Sequence, residues 1–416
     1  MPSLRYLAPA GAPINAADVA HWCAAAFSGE PAGQRLERVL AERFGVGQVS
    51  LFSTGRAGMT VLLRAMRRLG GPARREVVMP AYTCYSVAAS AIKAGLQPRL
   101  IDISPESLDF APHELESVDF SRVLAIVGTN LYGLPNDMAG LRARADRAGV
   151  FLIDDAAQSM GARVKGRWSG TWGDAGLLSF DKGKNVSAID GGAVLVASKD
   201  LNDSLRDEMA TLERPSLMSA ATQIGKALAY AALLPPSLYW LPARTPQLGL
   251  GRTVFTTDFP LAHPEPALSA LAVAQMRHLE EFTEARRRNA RALLEGLAVL
   301  PGVSTVTPLP DTEPVYLRLP VLVDDPGIRN AALTALEAAG IGATGSYPLA
   351  LNDVPELAAV DPDTPAPGAR RVARSILTLP THPYMTPRDI ALALQVLGDT
   401  LVTAGATSGA PAMARP

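Results

Sequence analysis

Between Val49 and Val196, short apolar runs rich in β-branched residues alternate with stretches whose apolar residues recur at helical spacing. Strands separated by a helix's length of chain cannot pair as hairpins, so each must cross over and run parallel to its neighbours, with helices covering both faces of the sheet. The expected strands are Val49–Ser53, Glu76–Pro80, Pro98–Asp102, Val123–Gly128, Val150–Asp155, Ala175–Phe180 and Gly192–Ala197. The predicted class is α/β, with a mostly parallel seven-stranded sheet between helices. Ligands of such sheets gather beyond the carboxyl ends of the strands, which is where chemistry-bearing residues are sought.

After Ala197 the strand pattern stops. An apolar insert over about 216–255 precedes a long charged helix and then a mixture of strands and helices, so the large domain is placed at 1–259 and a smaller α+β domain at 260–402. The small, polar, proline-bearing stretch 403–416 is expected to be a disordered tail. With 39 basic and 40 acidic residues there is no global field to recruit nucleic acid, so any anionic ligand needs a local site. The two cysteines, Cys23 and Cys84, lack metal-ligand spacing and suit a reducing cytoplasm. The first residues show no secretory leader. Ile224–Pro242 is apolar enough to consider membrane contact, but Pro235-Pro236 ends its helix after roughly ten residues, about half a span. A buried or dimer-facing helix is the favoured expectation.

Two stretches carry the chemistry. FLIDDAAQSMGA places Asp155 at a strand end with Gln158 beyond it, and LLSFDKGKNVSAIDGG places Ser179 and two lysines, Lys182 and Lys184, ahead of Gly191-Gly192. A buried acid that keeps a pyridine nitrogen protonated, and a lysine that forms a Schiff base, are what pyridoxal 5'-phosphate (PLP) requires. The residues alone do not choose between the lysines; of the adjacent acids, alternation lets only one of Asp154 and Asp155 face a bound ring. STGRAGM follows a strand and opens a helix, so Gly55, Arg56 and Ala57 are expected to offer backbone amides, and Arg56 a charge, to a phosphate.

Taken together, Asp154-Asp155-Ala156-Ala157-Gln158, Gly161-Ala162, Gly173-Asp174, Ser179-Phe180, a three-residue spacer, Lys184-Asn185 and Gly191-Gly192 resemble, in order, the pattern of the DegT/DnrJ/StrS family of nucleotide-sugar aminotransferases. PAYTCYSVAASAIKAGLQPRLIDIS, NLYGLPNDM and SILTLPTHPYMT extend the resemblance over roughly residues 10–400. The family has the fold of the aspartate aminotransferase superfamily (fold type I). The resemblance implies Lys184, rather than Lys182, as the Schiff-base lysine and proton shuttle, and Asp155 on the pyridine nitrogen. It also implies Gln158 near the ring hydroxyl, Ser179 with Gly55 and Arg56 around the phosphate, and a homodimer with shared active sites.

Departures from the pattern are also informative. Arg56 stands where the family usually has threonine, and Asn130 where it has histidine. The position of the aromatic that stacks on the cofactor falls at Cys84, so one of Tyr82 and Tyr85 is expected to cover the ring. The family's Asn-Tyr-Arg-Met segment, whose asparagine reaches a neighbouring subunit's phosphate, aligns with Leu261–Pro264.

The implied reaction moves an amino group from an amino-acid donor, glutamate foremost, to a keto sugar, nucleotide-linked in the family's manner. A sugar dehydratase of this family would carry histidine in place of Lys184, and a non-catalytic cofactor-fold subunit would bind without turnover. Arg244 and Arg252 are candidates for an acceptor's diphosphate, and Tyr347 and His382 for the mouth of the site.

Overall fold

A computed structural model describes residues 5–25, 29–245, 254–357 and 364–408. Strands β1 (Gln48–Phe52), β2 (Glu76–Pro80), β3 (Gln97–Ile101), β4 (Val123–Thr129) and β5 (Phe151–Asp155) are followed by two-residue strands β6 (Arg163–Val164) and β7 (Arg167–Trp168). Then come β8 (Ala175–Ser179) and β9 (Gly192–Val196). The large sheet has the order β1-β9-β8-β5-β4-β2-β3, and β9 alone runs against its neighbours. Each expected strand is present, within a residue or so at its ends.

The sheet is buried on both faces, which is why its strands read as continuous apolar runs. Alternate residues serve opposite layers: Val127, Ile153, Leu177 and Val194 pack with helices Gly55–Gly70 and Tyr85–Lys93. Ile126 and Leu152 pack with helix Met138–Ala148, while Leu178 and Leu195 pack with helices Ala32–Phe44 and Pro266–Met276.

The second sheet, β10 (Val303–Thr305), β12 (Leu319–Val323) and β13 (Ile376–Leu379), is antiparallel. Strand β11 (Thr312–Glu313) instead joins β6 and β7 in a third small sheet. Leu319, Val321 and Leu377 share a core with Ala332, Leu336 and the end of helix Leu279–Leu297. Helix Pro266–Met276 and Leu279 just after it pack with the large sheet.

The N-terminal arm completes this smaller unit. Leu7 is fully buried in its core and bridges Ile341, Arg5 pairs with Asp389 at 2.7 Å, and Ala8 O faces His382 Nε2 at 2.9 Å. Helix Pro387–Ser408 takes in Thr403 to Ser408, correcting the expectation of a disordered tail from 403; residues 409–416 lie outside the described residues.

Ser216 caps helix Leu217–Leu233, which starts earlier than the proline-bounded reading placed it and ends just before Pro235-Pro236. Only Ala227 is buried along it; Ile224, Tyr230 and Ala231 rest on the large domain, while Leu217, Met218 and Leu228 are exposed. The expectation of a helix buried within its own chain is therefore corrected. No helix among the described residues is long and apolar enough to cross a membrane.

Candidate active site

The carboxyl ends of β4, β5 and β8 open into a cleft with about 500 Å³ of empty space. Gly55, Arg56, Cys84, Asp155, Gln158, Ser179 and Lys184 line it together. Ala57, Tyr82 and Tyr85 do not.

Helix Gly55–Gly70 aims its N-terminus at this cleft. Thr54 caps the helix, its hydroxyl accepting from Ala57 N at 3.0 Å, so the Ala57 amide is already spent and the expectation that it is free is corrected. Glycine is required at two positions here. A Cβ on Gly55 would lie 3.3 Å from Ser179 Cβ, and one on Gly192 would lie 2.6 Å from the Gly55 backbone, so β9 and the helix start could not pack this closely otherwise.

The two acids at the end of β5 take different paths. Asp154 is fully buried away from the cleft and accepts from Asn130 Nδ2 at 2.8 Å, Gly170 N at 2.6 Å and Trp172 N at 3.1 Å. Asp155 faces the cleft and accepts from Ala157 N at 3.0 Å. Burial pushes its pKa up to about 6; the Ala157 amide and the nearby Lys184 charge pull it back, and Asp154 adds to the rise. It is therefore ionised at neutral pH yet poorly solvated, the state of an acid that awaits a positively charged partner.

Lys184 reaches the same cleft from a tight turn in which its amide donates to Asp181 O at 3.0 Å. The turn is anchored by its neighbour: Asn185 donates to Met160 O and Thr283 Oγ1 at 3.0 Å and accepts from Arg286 Nε at 2.7 Å. Arg286 is fully buried and extends the anchor to Gly11 O and Leu317 O. Burial lowers its pKa to about 9. Lys182 is exposed and outside the cleft lining.

On the facing wall Cys84 is the residue that lines the cleft. The expectation that Tyr82 or Tyr85 covers a bound ring is corrected, because Cys84 is the N-cap of helix Tyr85–Lys93 and the tyrosines turn into the core. Tyr82 OH lies 3.3 Å from Tyr132 OH, and Tyr85 OH donates to Leu349 O at 3.1 Å. Gln158 is fixed at both ends, accepting from Tyr132 N at 3.0 Å and donating to Tyr347 OH at 2.9 Å. Tyr347 thus reaches the site through Gln158.

His382 does not reach the mouth. It is fully buried, and burial together with Arg286 holds its pKa down at about 4. Arg244 is exposed and lies over the Trp240 ring, and Arg252 is outside the described residues.

Sequence reading missed Thr83 and Thr129, whose buried hydroxyls line the cleft without a hydrogen-bond partner among the described residues. Thr129 is paired in register with Asp155, which puts the two side chains on one face of the sheet. Buried hydroxyls are seldom left unpaired. Two of them in a cleft that also holds an acid, a lysine and an arginine match a ligand with polar ring substituents and a phosphate, so the residues present fit PLP.

Comparison with known proteins agrees with this geometry. The model of the DegT/DnrJ/EryC1/StrS aminotransferase family matches residues 20–230 and 265–397, leaving out the stretch that ends at the divergent Leu261–Pro264 segment. The chain is 28% identical to dTDP-3-amino-3,4,6-trideoxy-alpha-D-glucose transaminase of Streptomyces venezuelae, over 79% of this chain and 77% of that one. It is 30% identical to L-glutamine:2-deoxy-scyllo-inosose aminotransferase of Micromonospora echinospora, over 82% and 78%. Among solved structures, DesI in the presence of its TDP-sugar product superposes with a TM-score of 0.76, at 25% identity and with coverage of 98% of this chain and 95% of that one. By sequence, fold and the contents of its cleft, this chain belongs to the DegT/DnrJ/EryC1/StrS family of PLP-dependent aminotransferases.

Proposed function

We propose that this aminotransferase transfers an amino group from an amino acid, glutamate foremost, to a keto sugar carried on a nucleotide, in the biosynthesis of a polysaccharide, glycan or secondary metabolite. The observation that carries the reading is the meeting of Lys184 and Asp155 in one cleft with Arg56 and Ser179. Relatives named for dTDP- and UDP-linked sugars support the acceptor class.

When bound, PLP supplies an electron sink beside the bond to be broken. Bound there, its ring nitrogen would be kept protonated by the negative charge of Asp155. Lys184 Nζ would take the proton from the carbon that bears the donor's amine, and later give a proton to the acceptor carbon that receives the amine. Gln158, oriented by Tyr132 N and Tyr347 OH, would stand beside the ring, and Ser179, Gly55 and Arg56 would hold the phosphate. The donor leaves as a 2-oxo acid before the keto sugar enters, which gives ping-pong kinetics. A cytoplasmic homodimer is the assembly we favour, with the exposed apolar side of helix Leu217–Leu233 as a candidate contact.

The test is the visible spectrum of the purified protein supplied with PLP. A band that borohydride fixes covalently to Lys184, that glutamate bleaches and that Lys184→Ala lacks is the expected result. A protein that stays colourless refutes the assignment, and a stable band that no amino donor bleaches points to a subunit that binds without turnover.

A further inference from the structure

Arg56 is exposed at the cleft, and no carboxylate lies within ion-pair distance of it among the described residues. Its guanidinium lies instead over the ring of Phe259, 5.1 Å from the centroid. Lys93 Nζ lies over the same ring at 4.8 Å and donates to Thr257 O at 3.0 Å. Phe259 is itself buried and belongs to a segment stitched to the large domain. Ser53 N donates to Ala262 O at 3.0 Å, and His263 N to Glu213 O at 2.9 Å.

Two cations gathered at one aromatic ring repel each other, and the ring compensates only part of that cost. A ring contact spends none of the guanidinium's N–H donors, and Arg56 lines the same cleft as Gly55 and Ser179. Asp190 feels the Arg56 charge only against the larger effect of its own burial, which pushes its pKa up to about 6. This is an electropositive corner suited to a compact anion.

We propose that Phe259 is a positioning residue that fixes Arg56 over the Gly55–Ser179 end of the cleft, with Lys93 reinforcing the field, so that one chain by itself builds a charged clamp for a phosphate monoester. The clamp rests on the reading of the cleft as the PLP site. Phe259 lies in the stretch that the family model leaves out, so the clamp is a property of this chain rather than of the matched pattern.

The experiment compares two aldehydes that differ only in the phosphate. Apoprotein is titrated with PLP and with pyridoxal, following the visible band, for the wild type, Phe259→Leu, Phe259→Tyr, Arg56→Met and the Phe259→Leu/Arg56→Met pair. Phe259→Leu is expected to weaken PLP by about 2- to 30-fold, the range of one cation–π contact, and to leave pyridoxal unchanged. Phe259→Tyr keeps the ring face and restores PLP affinity, and the double variant is no weaker than Arg56→Met alone. Inorganic phosphate competes with PLP in the wild type and less so in Arg56→Met. Equal loss for both aldehydes, additive effects in the double variant, or unchanged PLP affinity each overturns the clamp while leaving the cofactor assignment intact. A wild type that captures neither aldehyde overturns the cofactor assignment, and the clamp with it.

Discussion

Replacing Asp155 by asparagine should make the apoprotein more stable, and increasingly so as the pH rises. Burial lifts the Asp155 pKa from 3.8 to about 6, so the folded chain binds this proton more tightly than the unfolded chain. The group's contribution is therefore most favourable below the unfolded pKa and is lost as pH rises through the folded one. Holding the charge in place costs about 3 kcal/mol at pH 8, about half that at pH 5, and little at pH 4. Asparagine keeps the shape and still accepts from Ala157 N, now at 3.0 Å in the parent, without the charge. Urea unfolding of cofactor-free wild type and Asp155→Asn at pH 5 and pH 8 reads the difference directly. The variant's advantage should grow by about 1 kcal/mol between the two, a change to which titrations elsewhere contribute equally in both proteins. A variant less stable than wild type at pH 8, or an advantage that does not change with pH, would refute the argument that this carboxylate is held charged at the fold's expense. The same variant should lose transamination, because a neutral amide cannot hold the ring nitrogen protonated.

Other perturbations test neighbouring parts of the site. Lys184→Arg keeps the charge beside Asp155 but should retain no cofactor after borohydride reduction, as read by intact mass. Gly192→Ala puts a methyl 2.6 Å from the Gly55 backbone, where no side chain can yield; PLP affinity should fall at least about tenfold as the helix start moves from Ser179. Asn185→Leu leaves the buried Arg286 Nε without its acceptor, and urea unfolding should show a loss of about 3 kcal/mol. His278 sits between Asp18 at 2.8 Å and Glu281 at 3.0 Å, and these acids raise its pKa against the opposing effect of burial. Its stabilising contribution is present below the ordinary histidine pKa and lost as pH rises through the raised one, so His278→Gln should lower the melting temperature at pH 6 and not at pH 8.5.

The sheet was legible because each of its strands is apolar on both faces and bounded by turns, a pattern that depends on local sequence alone. The lysine turn and the acid pair were legible for the same reason, since alternation along β5 already separates Asp154 from Asp155. What escaped the sequence depended on single-residue boundaries or on distant partners. Ending β4 at Gly128 hid Thr129, whose pairing with Asp155 needs one more residue of strand. Placing Tyr82 and Tyr85 over a bound ring assumed that aromatics near a site face it; the cap at Cys84 sends them inward, toward a segment whose Leu349 lies 264 residues from Tyr85. The Ala57 amide was counted as free because Thr54, immediately before the glycine, was not read as its cap.

The N-terminal arm has a bearing on how this protein is made. Its Arg5 meets Asp389 across 384 residues of chain, and its Ala8 meets His382 across 374. The arm can therefore dock only once the segment around Asp389 has been made, and until then Leu7 lacks its hydrophobic shelter. Closing so long a loop is entropically costly and slow, so docking of the arm is expected to be the final event of folding. Until then Gly11 cannot meet Arg286, and the anchor of the lysine turn lacks one of its points. Cofactor capture should accordingly become fully competent only once the arm has docked, so that the longest-range contact of the fold also completes the anchor of the lysine turn.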